Sequence, residues 1–104
     1  MPRFDVYANP SSAERRLTPY FLDVQNDYID GLDSRVVIPL RRESAFGPRA
    51  RGLHPLLQVN GDAVVLDTAA LGAVPRAELR KPVAHLSDAR EPVQAALDAL
   101  FGAY

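Results

Sequence analysis

The sequence contains no cysteine, and this absence excludes several kinds of chemistry at once. Without thiols the chain cannot form disulfides, cysteine–zinc sites, iron–sulfur clusters or a thiol nucleophile, which suits a reducing cytoplasm. Only two histidines are present, His54 and His85, which is too few for a histidine-rich metal site. We therefore expect no metal and no cofactor.

Positive and negative charges are nearly balanced: the chain has 12 Lys+Arg residues and 13 Asp+Glu residues, a formal net charge of -1. A domain that grips nucleic acid directly normally carries a basic excess, so direct nucleic-acid binding is disfavoured. No apolar run approaches the ~18 residues that span a bilayer. The N-terminal residues also lack an apolar run of signal-peptide length. We expect a cytoplasmic protein that makes no membrane contact.

Short apolar segments separated by turn residues predict a mainly β protein with one domain over residues 1–104. Residues 3–7, 20–25, 35–40, 53–59 and 63–68 have the alternation or the branched and aromatic composition of strands, and residues 82–86 could form a short last one. Asn60-Gly61 between two apolar runs predicts a tight hairpin. Because Pro39 lacks a backbone donor, we predict an edge strand or a bulge there. Residues 69–75 are small and apolar and could form a helical turn or a loop.

The C-terminal segment predicts one amphipathic helix. Ser87 or Asp88 can cap it, Pro92 falls in its first turn, and Gly102 stands where helices usually end. Its apolar residues recur at i, i+3, i+4 and i+7, namely Val93, Ala96, Leu97 and Leu100. Short antiparallel strands followed by one helix predict a barrel or half-barrel, since closure removes exposed strand edges.

The polar candidates for chemistry are few. Residues 41–52 predict a long exposed arginine-rich loop, which could grip an acidic partner or simply face water with its arginines paired locally. His54 and His85 lie among apolar residues, and packed histidines are the favoured interpretation over general bases. No glycine-rich phosphate loop or nucleophile elbow occurs. The sequence predicts no catalytic residue.

Segments spread over almost the whole chain carry a family resemblance. They are Phe4-Asp5-Val6-Tyr7, Asp23-Val24-Gln25-Asn26-Asp27, Ile29-Asp30, Val37-Ile38-Pro39-Leu40, Leu53-His54-Pro55, Val74-Pro75, Val83-Ala84-His85-Leu86-Ser87 and Phe101. Together they resemble the CcdB family, the toxin half of a toxin–antitoxin module. At the segment that contains His85 the family has Val-Ala-Asp-Leu-Ser, so the histidine is a departure.

The resemblance implies an SH3-like antiparallel barrel with a C-terminal helix, assembled as a homodimer. It implies a protein that is not an enzyme and that poisons DNA gyrase, a type II topoisomerase, by binding the A subunit and trapping the cleavage complex. A cognate CcdA-like antitoxin would neutralise it through a segment that folds on binding. The toxin–antitoxin complex would repress its own operon, so operator DNA would be contacted only through that complex.

The resemblance also suggests which residues bind partners. The target-binding residues would lie on the loop before the third strand, on the exposed helix face and on the tail: Tyr28, Ile29, Asp30, Glu91, Gln94, Ala95, Asp98, Phe101, Gly102, Ala103 and Tyr104. The candidates to meet the carboxylates of the antitoxin are Arg15, Arg16, Arg41 and Arg42.

The tail departs from the family pattern. Where the family's poison ends in Trp-Gly-Ile after a phenylalanine, this chain has Gly102-Ala103-Tyr104 after Phe101. Truncating a tryptophan at an interface centre often costs about 2 kcal/mol or more, so we expect weak or absent gyrase poisoning. Two alternatives follow: a toxin of the same fold whose target is lost or changed, and a MazF-like endoribonuclease.

Overall fold

Between residues 2 and 102, which the computed structural model describes, seven strands form one antiparallel sheet that curves into a nearly closed barrel. The strands are β1 (Asp5–Ala8), β2 (Tyr20–Asp23), β3 (Ser34–Arg42), β4 (Leu56–Val59), β5 (Asp62–Leu66), β6 (Gly72–Pro75) and β7 (Ala84–His85). Neighbours follow the order β4-β5-β3-β2-β1-β7, and β6 pairs with the first half of β3. The mainly β fold predicted from the sequence is confirmed.

The seam of the barrel lies between β4 and β7, the two ends of the strand order. The side-chain nitrogen of Asn60, at the tip of the β4–β5 hairpin, donates to the carbonyl of Val83, just before β7, at 3.2 Å. The hairpin itself is as predicted. Val59 pairs with Asp62 across a two-residue turn, and Asn60 and Gly61 both have positive φ, at 50° and 88°.

β3 lies inside the sheet, so the prediction of an edge strand or a bulge at Pro39 is wrong. β2 pairs with one side of β3, while on the other side β6 pairs with its first residues and β5 with its last. Pro39 falls between those two partners, and its carbonyl accepts a hydrogen bond from the Asp67 backbone at 3.0 Å. The nitrogen of Pro39, which has no hydrogen to donate, faces the same side of β3. Neither β5 nor β6 pairs with β3 at Pro39, so no strand partner requires a donor there.

Two further segments differ from the predictions. The long loop predicted over residues 41–52 is partly regular, because β3 continues to Arg42 and a one-turn helix, α1 (Glu43–Phe46), follows. Residues 69–75 contain a 3-10 turn (Thr68–Ala70) and then β6, a strand that the sequence did not reveal. Small residues such as Gly72 and Ala73 carry little strand signal, so the pairing with β3 decides the structure there.

The predicted helix is α2 (Arg90–Phe101), and its apolar face packs against the core of the barrel. Val93 and Ala96 are fully buried in the same apolar cluster as the inward-facing strand residues. Gly102 ends the helix in the left-handed conformation, with φ 71° and ψ 39°, and its N–H donates to the Asp98 carbonyl. Glycine adopts that conformation with little strain, which is why it occurs at helix ends.

The predicted side-chain cap of this helix is wrong. Ser87 and Asp88 lie in a 3-10 turn (Ser87–Ala89) that leads into α2, and the N-cap is Ala89, which has no side chain able to accept a hydrogen bond. Among residues 2–102, none of the helices is both long enough and apolar enough to cross a bilayer.

A second, smaller cluster covers the other face of the sheet. Tyr7, Val37 and Leu79 are buried there, with Phe21 and Val74 packed against them. Successive strand residues point to opposite faces, so Val6 enters the barrel while Tyr7 enters the outer cluster.

Tyr7 makes stability sensitive to alkaline pH. Burial, with the nearby carboxylates of Asp5 and Asp23 adding to it, raises the pKa of Tyr7 from 10.0 to about 12. Because the folded-state pKa lies above the unfolded one, the stabilisation is complete below about pH 10 and is lost as pH rises towards 12. We expect wild type to lose up to about 2 kcal/mol of unfolding free energy over that interval.

The matching variant is Tyr7→Phe, which cannot ionise. Urea unfolding should show it about 1 kcal/mol or less below wild type in stability at neutral pH, because the substitution keeps the buried ring and removes only the interaction of its hydroxyl with Asp5. Its alkaline decline should be smaller than that of wild type, whereas Tyr28→Phe, which alters an exposed ring, should decline like wild type. Parallel declines for wild type and Tyr7→Phe would contradict the assignment.

Candidate partner-binding surface

An apolar groove of about 510 Å³ lies where α2 meets the chain between β2 and β3. We call it the helix–loop groove, and its lining includes Ile29, Leu71, Gln94, Leu97, Asp98 and Phe101. Phe101 is 69% exposed at the end of α2, and Ile29 is 48% exposed on the opposite wall. Large apolar side chains left open on both walls are typical of a surface that a partner covers.

A tight turn presents the loop side of this groove. The Asn26 side-chain oxygen accepts from the Tyr28 backbone at 2.9 Å, and the Asn26 carbonyl accepts from the Ile29 backbone at 3.0 Å. The Gln25 side chain donates to the Ile29 carbonyl and accepts from the Val36 backbone at 2.9 Å. The turn is thereby tied to β3, and Tyr28 projects from it with 97% of its surface exposed.

A buried ion pair lies beneath the turn. Arg35 Nε and Nη2 donate to the two carboxylate oxygens of Asp23 at 2.8 and 2.9 Å, and both side chains have no exposed surface. Burial raises the pKa of Asp23, while the hydrogen bonds from Arg35 and the Gln25 backbone oppose that shift. The fork geometry fixes the end of β2 against the start of β3, the two points between which the turn is held.

Asp30 is held on the other side of the same arginine. Its carboxylate lies 3.6 Å from Arg35 Nη1 and 3.4 Å from Arg76 Nη2, and Arg76 Nη1 donates to its carbonyl at 2.6 Å. Asp30 therefore acts as a brace for the turn, and it does not line the helix–loop groove.

Arg3 ties the helix to the loop, and nothing in the sequence indicated this role. Its backbone N–H donates to Asp27 Oδ1 at 2.6 Å, and its Nε donates to the Val24 carbonyl at 3.0 Å. Its Nη2 donates to Gln94 Oε1 at 3.1 Å, and Gln94 Nε2 in turn donates to Asp98 at 3.1 Å. The polar side of the groove is therefore ordered before any partner arrives.

The structure brings together four of the predicted target-binding residues, Ile29, Gln94, Asp98 and Phe101, around the helix–loop groove. Tyr28 borders an adjoining cleft, and Glu91 and Ala95 are exposed on α2. Gly102 caps the helix. Ala103 and Tyr104 lie outside the described residues.

The arginines proposed for the antitoxin behave differently from one another. Arg41 Nε binds Asp67 at 2.6 Å and Arg42 Nη1 lies 3.3 Å from Asp62, so both are paired locally. Arg15 Nε donates to the Asn9 carbonyl at 2.6 Å, and Arg16 is exposed.

Both histidines have partners that the sequence did not reveal. His85 Nδ1 lies 2.8 Å from Asp5 Oδ1, a contact that joins β7 to β1. His54 Nδ1 accepts from the Ala50 backbone at 2.9 Å, and its ring packs edge-on against Phe46. Among residues 2–102, no group of three or more metal-ligating side chains is placed to hold an ion.

A family model described as CcdB protein matches residues 3–102 of the 104-residue chain. The match therefore includes every strand, both helices and the whole of the helix–loop groove.

The buried ion pair yields a stability prediction. Arg35→Met leaves Asp23 without its partner inside the protein, and we expect a loss of about 3–5 kcal/mol in unfolding free energy. Arg41→Met, the matched control, breaks a partly exposed pair with Asp67 and should cost about 1 kcal/mol or less. Urea unfolding measures both.

A double variant tests whether the stability lost by Arg35→Met comes from the unpaired buried charge of Asp23. Asp23→Leu combined with Arg35→Met removes both charges and should recover much of the stability lost by Arg35→Met alone. Equal losses for Arg35→Met and Arg41→Met would show that the Asp23–Arg35 pair does not hold the turn.

Proposed function

The chain belongs to the CcdB family of toxins from toxin–antitoxin modules, and we propose that it acts on the A subunit of DNA gyrase through the helix–loop groove. In this proposal it traps the complex that holds cleaved DNA, and it works by contact rather than by catalysis. One observation carries the proposal: Ile29, Gln94, Asp98 and Phe101, which the family resemblance predicted as target-binding residues, line one groove.

The chemistry of the groove suits a protein partner. Its centre is apolar, with Leu71 and Leu97 between the exposed side chains of Ile29 and Phe101. Gln94 and Asp98 supply polar groups at its border, and they are already oriented by Arg3. An apolar centre with a polar rim is the usual anatomy of a protein interface, and exposed aromatic residues often contribute most of its binding energy.

We further propose that the toxin is a homodimer. Phe101 leaves most of its ring exposed at the last residue of α2, beside exposed Ile29. A two-fold axis near this helix end would bring two tails together and set the two helix–loop grooves side by side, so that both protomers contribute to one apolar surface larger than a small monomer usually exposes.

A cognate antitoxin completes the proposal. It would neutralise the toxin through a segment that folds on binding, and the joint complex would repress the operon. The net charge of -1 supports contact with operator DNA through the antitoxin rather than directly.

A second candidate function is a changed target, and Gly102 favours it. The residue that stands at the family's tryptophan position has φ 71° and closes the helix. This position therefore serves to end α2 here and offers no side chain to a partner, which would weaken binding at the centre of a gyrase interface.

Gly102→Trp tests both candidates against Gly102→Ala. Both substitutions impose the same backbone strain at positive φ, but only tryptophan adds aromatic area, and the structure leaves open space at the Cβ position. If gyrase is the target, Gly102→Trp should stabilise gyrase–DNA cleavage complexes at lower toxin concentration than wild type, and Gly102→Ala should not. Plasmid cleavage assays measure this, with light scattering used to verify an unchanged oligomeric state.

Deletion of residues 102–104 should abolish growth inhibition while sparing antitoxin binding. A wild-type protein that already stabilises cleavage complexes at nanomolar concentration would contradict the expected weakness, and a fully toxic deletion would contradict a role for the tail.

Substitutions of the two histidines test the proposal that the protein acts without catalysis. His54→Ala and His85→Ala should leave growth inhibition intact apart from the effects of lost stability, because neither side chain lines the helix–loop groove. Ile29→Asp, which places a charge in that groove, should abolish it. Loss of toxicity in a folded histidine variant, together with cleavage of cellular RNA by wild type, would favour the endoribonuclease instead.

A further inference from the structure

A second groove lies between the β1–β2 connection and the segment that follows β6. Its cationic end has a volume of about 380 Å³ and is bordered by Pro10, Arg15, Glu78, Arg80 and Lys81. Through Pro10 and Glu78, which border both parts, it continues into a depression of about 310 Å³ that contains Phe21, Val74 and Glu14. We call the two parts together the outer groove.

The outer groove lies on the face of the sheet that does not hold α2. Phe21 and Val74 pack against the outer cluster of Tyr7, Val37 and Leu79. Val93 and Ala96 of α2 belong to the cluster inside the barrel. A ligand in the outer groove therefore leaves the helix–loop groove uncovered.

The two ends of the outer groove differ in chemistry. Arg80 and Lys81 are exposed, and within residues 2–102 neither forms an ion pair or a side-chain hydrogen bond. Arg15 is directed by its Nε bond to the Asn9 carbonyl. At the other end Phe21 and Val74 are half-buried apolar residues, with Glu14 beside them. One end thus suits carboxylates and the other an apolar side chain.

Both walls are ordered in advance. Asn9 is 2% exposed; its side-chain nitrogen donates to the Thr18 carbonyl at 2.9 Å and its side-chain oxygen accepts from the Ser11 backbone at 3.0 Å. On the opposite wall Leu79 is 5% exposed and anchors the 3-10 turn (Arg76–Glu78) just before Arg80. Ordered walls lower the entropy lost on binding.

We propose that the outer groove binds an extended peptide segment with carboxylates at Arg15, Arg80 and Lys81 and an adjacent apolar side chain against Phe21 and Val74. A nucleic-acid backbone fits less well, since its continuous run of phosphates would extend past the arginines to Glu14 and leave the apolar end unused. The proposal rests on the proposed function only in naming the antitoxin as the source of the peptide. As candidates to bind carboxylates of the antitoxin, Arg80 and Lys81 take the place of Arg41 and Arg42, which are already paired with Asp67 and Asp62.

The test uses the full-length protein and a fluorescently labelled synthetic peptide that alternates aspartate and leucine. Fluorescence anisotropy measures its affinity for wild type, for the double variant Arg80→Ser/Lys81→Ser, and for Arg51→Ser. Arg51 is an exposed arginine outside the groove and serves as the matched control. We expect the double variant to bind about tenfold more weakly, and Arg51→Ser to bind like wild type.

A second peptide with serine in place of leucine, and a DNA duplex carrying the same label, complete the design. The serine peptide should bind more weakly than the leucine peptide, because the contact with Phe21 and Val74 is lost. Equal affinity for the two peptides, equal weakening by Arg51→Ser, or tighter binding of the duplex would each overturn the proposal.

Failure here is distinguishable from failure of the proposed function. Arg80→Ser/Lys81→Ser should leave growth inhibition and gyrase cleavage unchanged, because neither residue borders the helix–loop groove. If this folded variant no longer stabilised gyrase–DNA cleavage complexes, the outer groove would belong to the target interface, and that result would also overturn the proposal.

Discussion

Two charges without solvent contact, Asp23 and Arg35, hold the part of the chain on which the helix–loop groove depends. Transferring each ion out of water costs several kcal/mol, and the fork geometry between these two side chains offsets most of that cost, helped by the Gln25 backbone N–H at Asp23 and by the Asp30 carboxylate beside Arg35. The pair joins the end of β2 to the start of β3, and the turn that contains Tyr28 and Ile29 connects these two points. Any rearrangement of that turn that disturbs the fork meets the full desolvation penalty, which disfavours other conformations of the loop side of the groove.

Local chemistry made some of the fold predictable. Asn60-Gly61 specifies its hairpin by the positive φ values that those two residues tolerate, and α2 follows from apolar spacing and from Gly102. Pro39 and β6 could not be read in this way. Whether a proline may lie in a central strand depends on which neighbour faces its nitrogen, and that neighbour is set by strands that follow it in the sequence.

The candidate site likewise contains residues that the sequence indicated and residues that it did not. The resemblance indicated Ile29, Gln94, Asp98 and Phe101, and the structure places them on one groove. The residues that orient them were missed, because Arg3 reaches Gln94 across 91 positions and a lone arginine near the N-terminus carries no pattern. The pairing of Arg41 and Arg42 with carboxylates on later segments was equally hidden, although local pairing was one of the two interpretations left open.

The seam between β4 and β7 has a consequence for behaviour in a crowded solution. An unpaired strand edge is a template on which another chain can add a strand, and long flat edges lead to aggregation. Among residues 2–102 the strands that pair on one side only are β4, β6 and β7, which are four, four and two residues long, and the side-chain amide of Asn60 donates to the carbonyl of Val83 beside the shortest one. A barrel left slightly open in this way gains little tendency to polymerise, so incomplete closure costs the protein little in colloidal stability.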